Sequence, residues 1–187
     1  MNLTRRVTIG ADDGLGDQLV LRPLELSDAE DVAAAYLRNR GHLAPWEPAR
    51  SDEFFTVAGQ EAVIRAKLGQ YAAGSEVPWV ITGSRGIYGM MTLTGIVRGP
   101  FLNANLGYWI DVDCTGRGAA SGAVAAVVDM ATNELGLHRI QAATLLHNAP
   151  SQAVLARCGF ERIGFAPTYL QIAGEWQDHV LFQRILF

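Results

Sequence analysis

The sequence predicts a single mixed α/β (α+β) domain whose central, mostly antiparallel sheet is flanked by helices. Three observations predict it. Strand-like and helix-like segments alternate along all but the first residues, an antiparallel meander occupies the middle, and a glycine-rich turn there joins a strand to a long apolar helix. At 187 residues the chain supports one substantial core. We read residues 1–16 as a flexible leader and residues 17–187 as one domain.

Residues 18–24 alternate through Leu19, Val20 and Leu21 and close at Pro23, which predicts a first strand. Ser27 to Glu30 has the spacing of a capping box, so a helix is expected from Ser27 to about Arg40, stopping at Gly41. Residues 42–48 contain Pro45 and Pro48 and predict a shaped loop, because proline removes a donor and restricts the residue before it. A second helical stretch runs from Asp52 to about Gly74, and β-branched and aromatic residues over 77–97, broken by glycines, predict the meander. Residues 106–111 form a further strand, 118–135 a helix ended by Gly136, 138–145 a strand and 149–157 a helix. Two last strands follow, hinged near Ala173 and Gly174. A strand, helix, strand unit implies a parallel pair, and the ends of such strands form a cleft.

Composition excludes several classes. Hydrophobic residues make up 49% of the chain and charged ones 18%, which separates it from disordered chains. A net charge of −4 argues against non-specific nucleic-acid binding, which needs clustered Lys and Arg. Two cysteines make no disulfide framework, and no Cys/His spacing resembles a metal site. No stretch approaches the roughly 18 apolar residues of a membrane span, and no signal peptide is evident. A cytoplasmic protein is expected, with no nucleic-acid or membrane partner, as a monomer or homodimer.

The turn of Thr115, Gly116, Arg117, Gly118, Ala119 and Ala120 carries the chemistry. Glycines let backbone approach a phosphate, and the helix start offers unpaired N–H groups with about half a positive charge. A Gly-rich turn with no ligand is the plain alternative. A P-loop would need Lys and Ser or Thr after the last glycine, and neither follows Gly118.

The chain resembles the GNAT superfamily of N-acetyltransferases, and within it the Rim type that acetylates ribosomal-protein N-termini. Gly118 and Ala120 match the family's pyrophosphate motif, while Thr115 stands where Gln or Arg is usual. Leu106-Gly107-Tyr108-Trp109-Ile110-Asp111, Leu135-Gly136-Leu137-His138-Arg139-Ile140, His147-Asn148-Ala149-Pro150-Ser151 and Leu155-Ala156-Arg157-Cys158-Gly159-Phe160 resemble the family's following segments. The run from Tyr169 through Trp176 to Val180 resembles the Rim-type hairpin.

The resemblance implies acetyl-CoA as cosubstrate, no metal, and direct attack of an amine on the thioester within a ternary complex. It implies cofactor contacts from Thr115 to Ala120 and from Asn148, with a backbone N–H near Trp109 or Ile110 facing the acetyl oxygen. The family's acid, often a Tyr, falls on Leu155; in Rim-type members a Ser three residues after the Asn is the proposed donor, and the resemblance implies that role for Ser151, with helix capping as its alternative role. Trp46, Glu47, Tyr169, Asp178 and His179 are expected on the acceptor side. No dedicated base is evident, since Leu170 and Asn105 stand where some members carry Glu; Asp178, Glu47 or His179 acting through water are the candidates. An α-amine of pKa about 7.8 costs about 1 kcal/mol to deprotonate at pH 7, a Lys of about 10.4 about 4.6 kcal/mol. The missing base therefore leans toward an N-terminal acceptor. A small-molecule N-acetyltransferase and a non-catalytic acyl-CoA-binding module are the alternatives. Cys114 is expected to be a structural thiol and Trp79 core.

Overall fold

The computed structural model describes residues 2–7 and 19–187. They build one eight-stranded sheet: β1 (Arg5–Val7), β2 (Leu19–Pro23), β3 (Glu76–Gly83), β4 (Gly86–Val97), β5 (Asn103–Ile110), β6 (Arg139–Leu145), β7 (Glu161–Ile172) and β8 (Glu175–Ile185), in spatial order β1-β2-β3-β4-β5-β6-β8-β7. Every neighbouring pair is antiparallel except β5 and β6. The mixed, mostly antiparallel architecture expected from the sequence is present.

Strand alternation sends side chains to two faces, each covered by its own helices. Helices α1 (Ala29–Arg38), α2 (Arg40–Leu43) and α3 (Val57–Ala72) cover one face, where Val32, Ala35, Leu43 and Ile64 meet Val80, Ile87, Met90 and Trp109. Helices α4 (Ala119–Asn133) and α5 (Ala149–Arg157) cover the other, where Val124, Val127, Met130 and Leu155 meet Leu93, Ala104, Leu106 and Ile140. Each such fully buried aliphatic side chain contributes about 1.5–3 kcal/mol. Trp79 is fully buried, as expected. Among the described residues no helix is long and apolar enough to cross a membrane.

Three local expectations need correction. Arg5–Val7 pair with Leu19–Leu21 as β1, so this part of the expected leader is strand, anchored where Val7 joins the core; residues 8–16 lie outside the described residues. Ser27 does not cap the first helix. A 3-10 turn over Leu26–Asp28 leaves Ser27 exposed, and the buried Asp28 carboxylate accepts instead from the Glu25 N–H at 2.8 Å while pairing with Arg22 at 2.6 Å. The helix also breaks at Asn39 rather than at Gly41, and Gly41 to Leu43 belong to α2.

Asn39 breaks the helix because its side chain serves elsewhere. It is wholly buried; its Nδ2 donates to the Ala35 carbonyl and to Asp111 Oδ2, both at 2.9 Å, and its Oδ1 accepts from the Val112 N–H. Arg38 Nε donates to the same Asp111 oxygen at 2.8 Å, and the Asp113 N–H donates to Asp111 Oδ1 at 2.9 Å. Burial pushes the Asp111 carboxyl upward, but the hydrogen bonds from Asn39, the Asp113 amide and Arg38 outweigh it and hold the pKa below the ordinary value. A depressed carboxyl stabilises the fold above its unfolded pKa of about 3.9, and that contribution disappears as pH falls through the lower folded value. Asp111→Ala should therefore cost about 2–4 kcal/mol in urea unfolding at neutral pH, with the deficit shrinking in acid. A constant deficit across the acid range would remove the charge from this account.

Candidate functional site

The site begins where two parallel strands separate. β5 and β6 are in register over Asn103, Ala104 and Asn105 only, opposite Arg139, Ile140 and Gln141. Beyond that, β5 stays with β4 and β6 stays with β8, so residues 106–110 and 142–145 flank a gap. Backbone groups on the facing edges lack a strand partner there, and a ligand can take its place. Trp109 and Ile110 lie in this stretch and point to opposite faces: Trp109 Nε1 donates to Tyr36 Oη at 2.9 Å, while Ile110 enters the core under α4. Gly89 lets β4 close on this segment, since a Cβ there would sit 2.5 Å from the Trp109 carbonyl oxygen.

The turn after β5 runs through a 3-10 segment, Val112–Cys114, into Thr115 to Gly118. Thr115 donates to the Val112 carbonyl through both Oγ1 at 2.8 Å and its backbone N–H at 3.2 Å, so it closes the turn and leaves the donors for a ligand to the residues after it, a correction to its expected cofactor contact. Gly116 and Gly118 have φ of 75° and 83°, a region that strains any other residue, and a Cβ at either would meet nothing within 4 Å. Gly118 caps α4 without a side chain. The Gly122 N–H makes the bond back to the Gly118 carbonyl at 2.9 Å, so the N–H groups of Ala119, Ala120 and Ser121 precede the helical ladder. An open surface over unpaired amides at the start of a 15-residue helix fits a diphosphate. Arg117 lies near enough to oppose the upward shift that burial gives the Cys114 thiol; that thiol stays above its ordinary pKa and is no activated nucleophile.

Helix α5 closes the gap from the same face. Asn148 Oδ1 accepts from the Ser151 N–H at 3.1 Å, so Asn148 is the cap and Ser151 is the third helical residue. The capping role weighed for Ser151 thus belongs to Asn148, leaving the amide Nδ2 of Asn148 for a ligand. Ser151 Oγ lies 2.8 Å from Tyr108 Oη, which reaches over from β5. Burial, partly offset by the bond to Ser151, pushes the Tyr108 phenol up to about 12. Tyr108 was not among the predicted site residues. Its alternation with Leu106 and Ile110 was readable, but nothing in the spacing connects it to a residue 43 positions away.

The loop after α2 and the β7–β8 hairpin form the other wall. The Ala173 N–H donates to the Glu47 carbonyl at 2.9 Å, and Trp46 lies against His147, just before the α5 cap, at 5.4 Å between rings. A cavity of about 310 Å³ opens beneath the loop, lined by Tyr36, Arg40, Leu43, Glu47, Arg50 and Phe55 among others. Burial raises the Glu47 carboxyl, and Arg50, 4.0 Å away, opposes this only weakly. The hairpin supplies Ala173 to that lining, whereas Tyr169, Asp178 and His179 sit farther along its strands. Asp178 Oδ1 accepts from the Thr168 N–H at 2.8 Å, holding an irregular segment of β7 in which Thr168 has a φ of 46°. His179 is buried, its Nδ1 2.9 Å from the Gln177 carbonyl oxygen, with the Tyr169 ring 5.5 Å away. Trp46 is thus brought against His147 just before α5, Glu47 lines the cavity beneath the loop, and the hairpin residues are committed to their own strands. Among the described residues no group of three His, Cys, Asp or Glu gathers to hold a metal.

Comparison with known proteins agrees with this geometry. The family model for the acetyltransferase (GNAT) domain matches residues 18–161. The [ribosomal protein uS5]-alanine N-acetyltransferase of Escherichia coli is 35% identical over 167 residues, covering 88% of this chain and 86% of that protein. The crystal structure of ribosomal-protein-S5-alanine acetyltransferase from Vibrio fischeri superposes with a TM-score of 0.85 at 33% identity, over 95% of this chain and 96% of that one. RimJ of Mycobacterium smegmatis, solved with a CoA-disulfide, gives a TM-score of 0.90 at 29% identity, over 97% and 86% of the two chains. GNAT enzymes take acetyl groups from acetyl-CoA, and this chain has the parted strands followed by a glycine-capped helix. The chain belongs to the GNAT acetyltransferase family and is an acetyl-CoA-dependent N-acetyltransferase.

Proposed function

We propose that this chain acetylates the N-terminal α-amine of a protein or peptide, in the cytoplasm, within a single domain to which β1 also belongs. The observation that carries the acceptor class is the weakly paired Glu47 carboxylate in an aromatic-walled cavity, joined to α5 through Trp46 and His147. A cationic amine entering that cavity meets an anion that burial has made more basic. A base with a raised pKa suits an α-amine near 7.8 better than a Lys near 10.4, by about 3.5 kcal/mol of deprotonation cost. The relatives named for alanine N-acetylation support the same class.

Acetyl-CoA supplies an activated acetyl thioester. The backbone of Gly116 to Gly118 and the first amides of α4 at Ala119 and Ala120 hold its diphosphate, with Arg117 adding positive charge. Asn148 fixes the start of α5 and offers its amide to the same ligand. A backbone N–H of Trp109 or Ile110, freed by the parting of β5 from β6, faces the carbonyl oxygen. Glu47 draws the ammonium in and takes its proton. As the C–N bond forms and the C–S bond breaks, Ser151 Oγ–H protonates the leaving sulfur, and the second proton shed by the nitrogen restores the serine hydroxyl through solvent. Tyr169, Asp178 and His179 shape the hairpin wall against which the rest of the acceptor lies.

Purified protein should consume acetyl-CoA with a free-N-terminus peptide and not with the same peptide blocked at its N-terminus. Turnover confined to small amines, or acetyl-CoA binding with no turnover on any amine, would overturn the acceptor assignment. Ser151→Ala should lower kcat about 10²-fold or more, and undiminished turnover would take Ser151 out of the mechanism. The acid limb of kcat/KM should lie above the ordinary Glu range of about 4.3 and disappear in Glu47→Gln. Gly118→Val should weaken coenzyme A binding in calorimetry at least tenfold, because left-handed backbone at a β-branched residue costs about 1–2 kcal/mol or more and the new side chain covers the amides.

A further inference from the structure

We infer that Tyr108 is the positioning residue for Ser151: its phenol O–H donates to Ser151 Oγ, leaving the serine's own proton free to turn into the gap between β5 and β6. This rests on Ser151 acting as the donor in the reading above. The geometry favours one direction of the bond. Among the described residues the other acceptor placed for the phenol is the Ser151 carbonyl at 3.4 Å, a much weaker contact than Oγ at 2.8 Å. A phenol is also a stronger donor than an aliphatic alcohol. Burial holds the phenol protonated throughout the working pH range, so it donates steadily and never competes for the serine's proton.

Both ends of the contact are fixed independently. Alternation along β5 puts Tyr108 on the face of Leu106 and Ile110, under α4 and α5. Asn148 pins the Ser151 backbone through its N–H. A serine side chain has three staggered wells and would otherwise sample them. The phenol selects the well that faces the parted strands. Tyr108 thus acts through Ser151 rather than on the substrate.

Tyr108→Phe keeps the ring and removes only the donor, so the fold should survive. Two measurements test the role. Coenzyme A bound to the protein is titrated by the ultraviolet absorbance of its thiolate; the wild type should lower the thiol pKa by about one unit relative to free coenzyme, and Tyr108→Phe and Ser151→Ala should each reverse most of that shift. In turnover, Tyr108→Phe should lower kcat about tenfold with KM for acetyl-CoA within about twofold, and the double variant should be no slower than Ser151→Ala alone. A bound thiol pKa indifferent to Tyr108→Phe, or a double variant slowed by the product of the single effects, would overturn the inference. If no peptide amine is acetylated, the acceptor reading falls, while the thiol titration still decides the role of Tyr108.

Discussion

The site depends on β5 leaving β6 after three residue pairs. A parallel pair continuing to Ile110 would satisfy its own backbone and leave nothing for a ligand. Each strand is instead held by its other neighbour: β5 by β4 from Gly89 to Val97, β6 by β8 along its whole length. The opening therefore costs only the hydrogen bonds that would have bridged it, and a bound ligand can restore these. Because strand side chains alternate, the opening also joins two otherwise separate surfaces. Tyr108 and Ser151 approach it from the α4 and α5 face, Trp109 and Tyr36 from the α1 to α3 face.

What holds β5 in place at the open end is the Asp111 cluster. Without β6 alongside, the end of β5 has lost one lateral support, and the turn that follows must still aim α4 at the gap. Asp111 ties that point to α1 through Arg38 and Asn39, and to its own turn through the Asp113 amide. Asn39 gives up its place in a continuous helix to do so, which puts α2 and then the Trp46 and Glu47 loop where they are. One buried carboxylate thus ties the glycine turn before α4 to the helix break that leads into the Trp46 and Glu47 loop.

The parts of this arrangement that were readable in the sequence are those set by local rules. The glycine-rich turn at 115–120 and the helix over Ala149 to Arg157 follow from their own segments, whereas the Asn148 cap does not, because Ser151 stood as the capping candidate there. The failures share a different cause. Ser27 has the spacing of a cap, but Arg22 recruits the neighbouring Asp28 from a strand away, and that pairing decides which carboxylate turns inward. Asn39 reads as an ordinary helix residue until Asp111, 72 positions later, is beside it. Tyr108 reads as an inward strand residue and nothing more. Specific side-chain pairings, six residues apart for Arg22 and Asp28 and 43 or 72 apart for the others, leave no periodicity for a single sequence to display.

Burial then divides the chemistry between two groups it shifts in the same direction. Raising the pKa of a carboxyl makes its anion a better base, so the environment of Glu47 favours taking a proton from a cationic amine. Raising the pKa of a phenol withdraws it from proton transfer, because yielding its proton would place a tyrosinate in a site that disfavours charge. Desolvation thus suits Glu47 to the proposed role of base and Tyr108 to that of a fixed donor. In the proposed reaction the proton leaving the amine and the hydroxyl facing the sulfur belong to different groups, on opposite faces of the sheet.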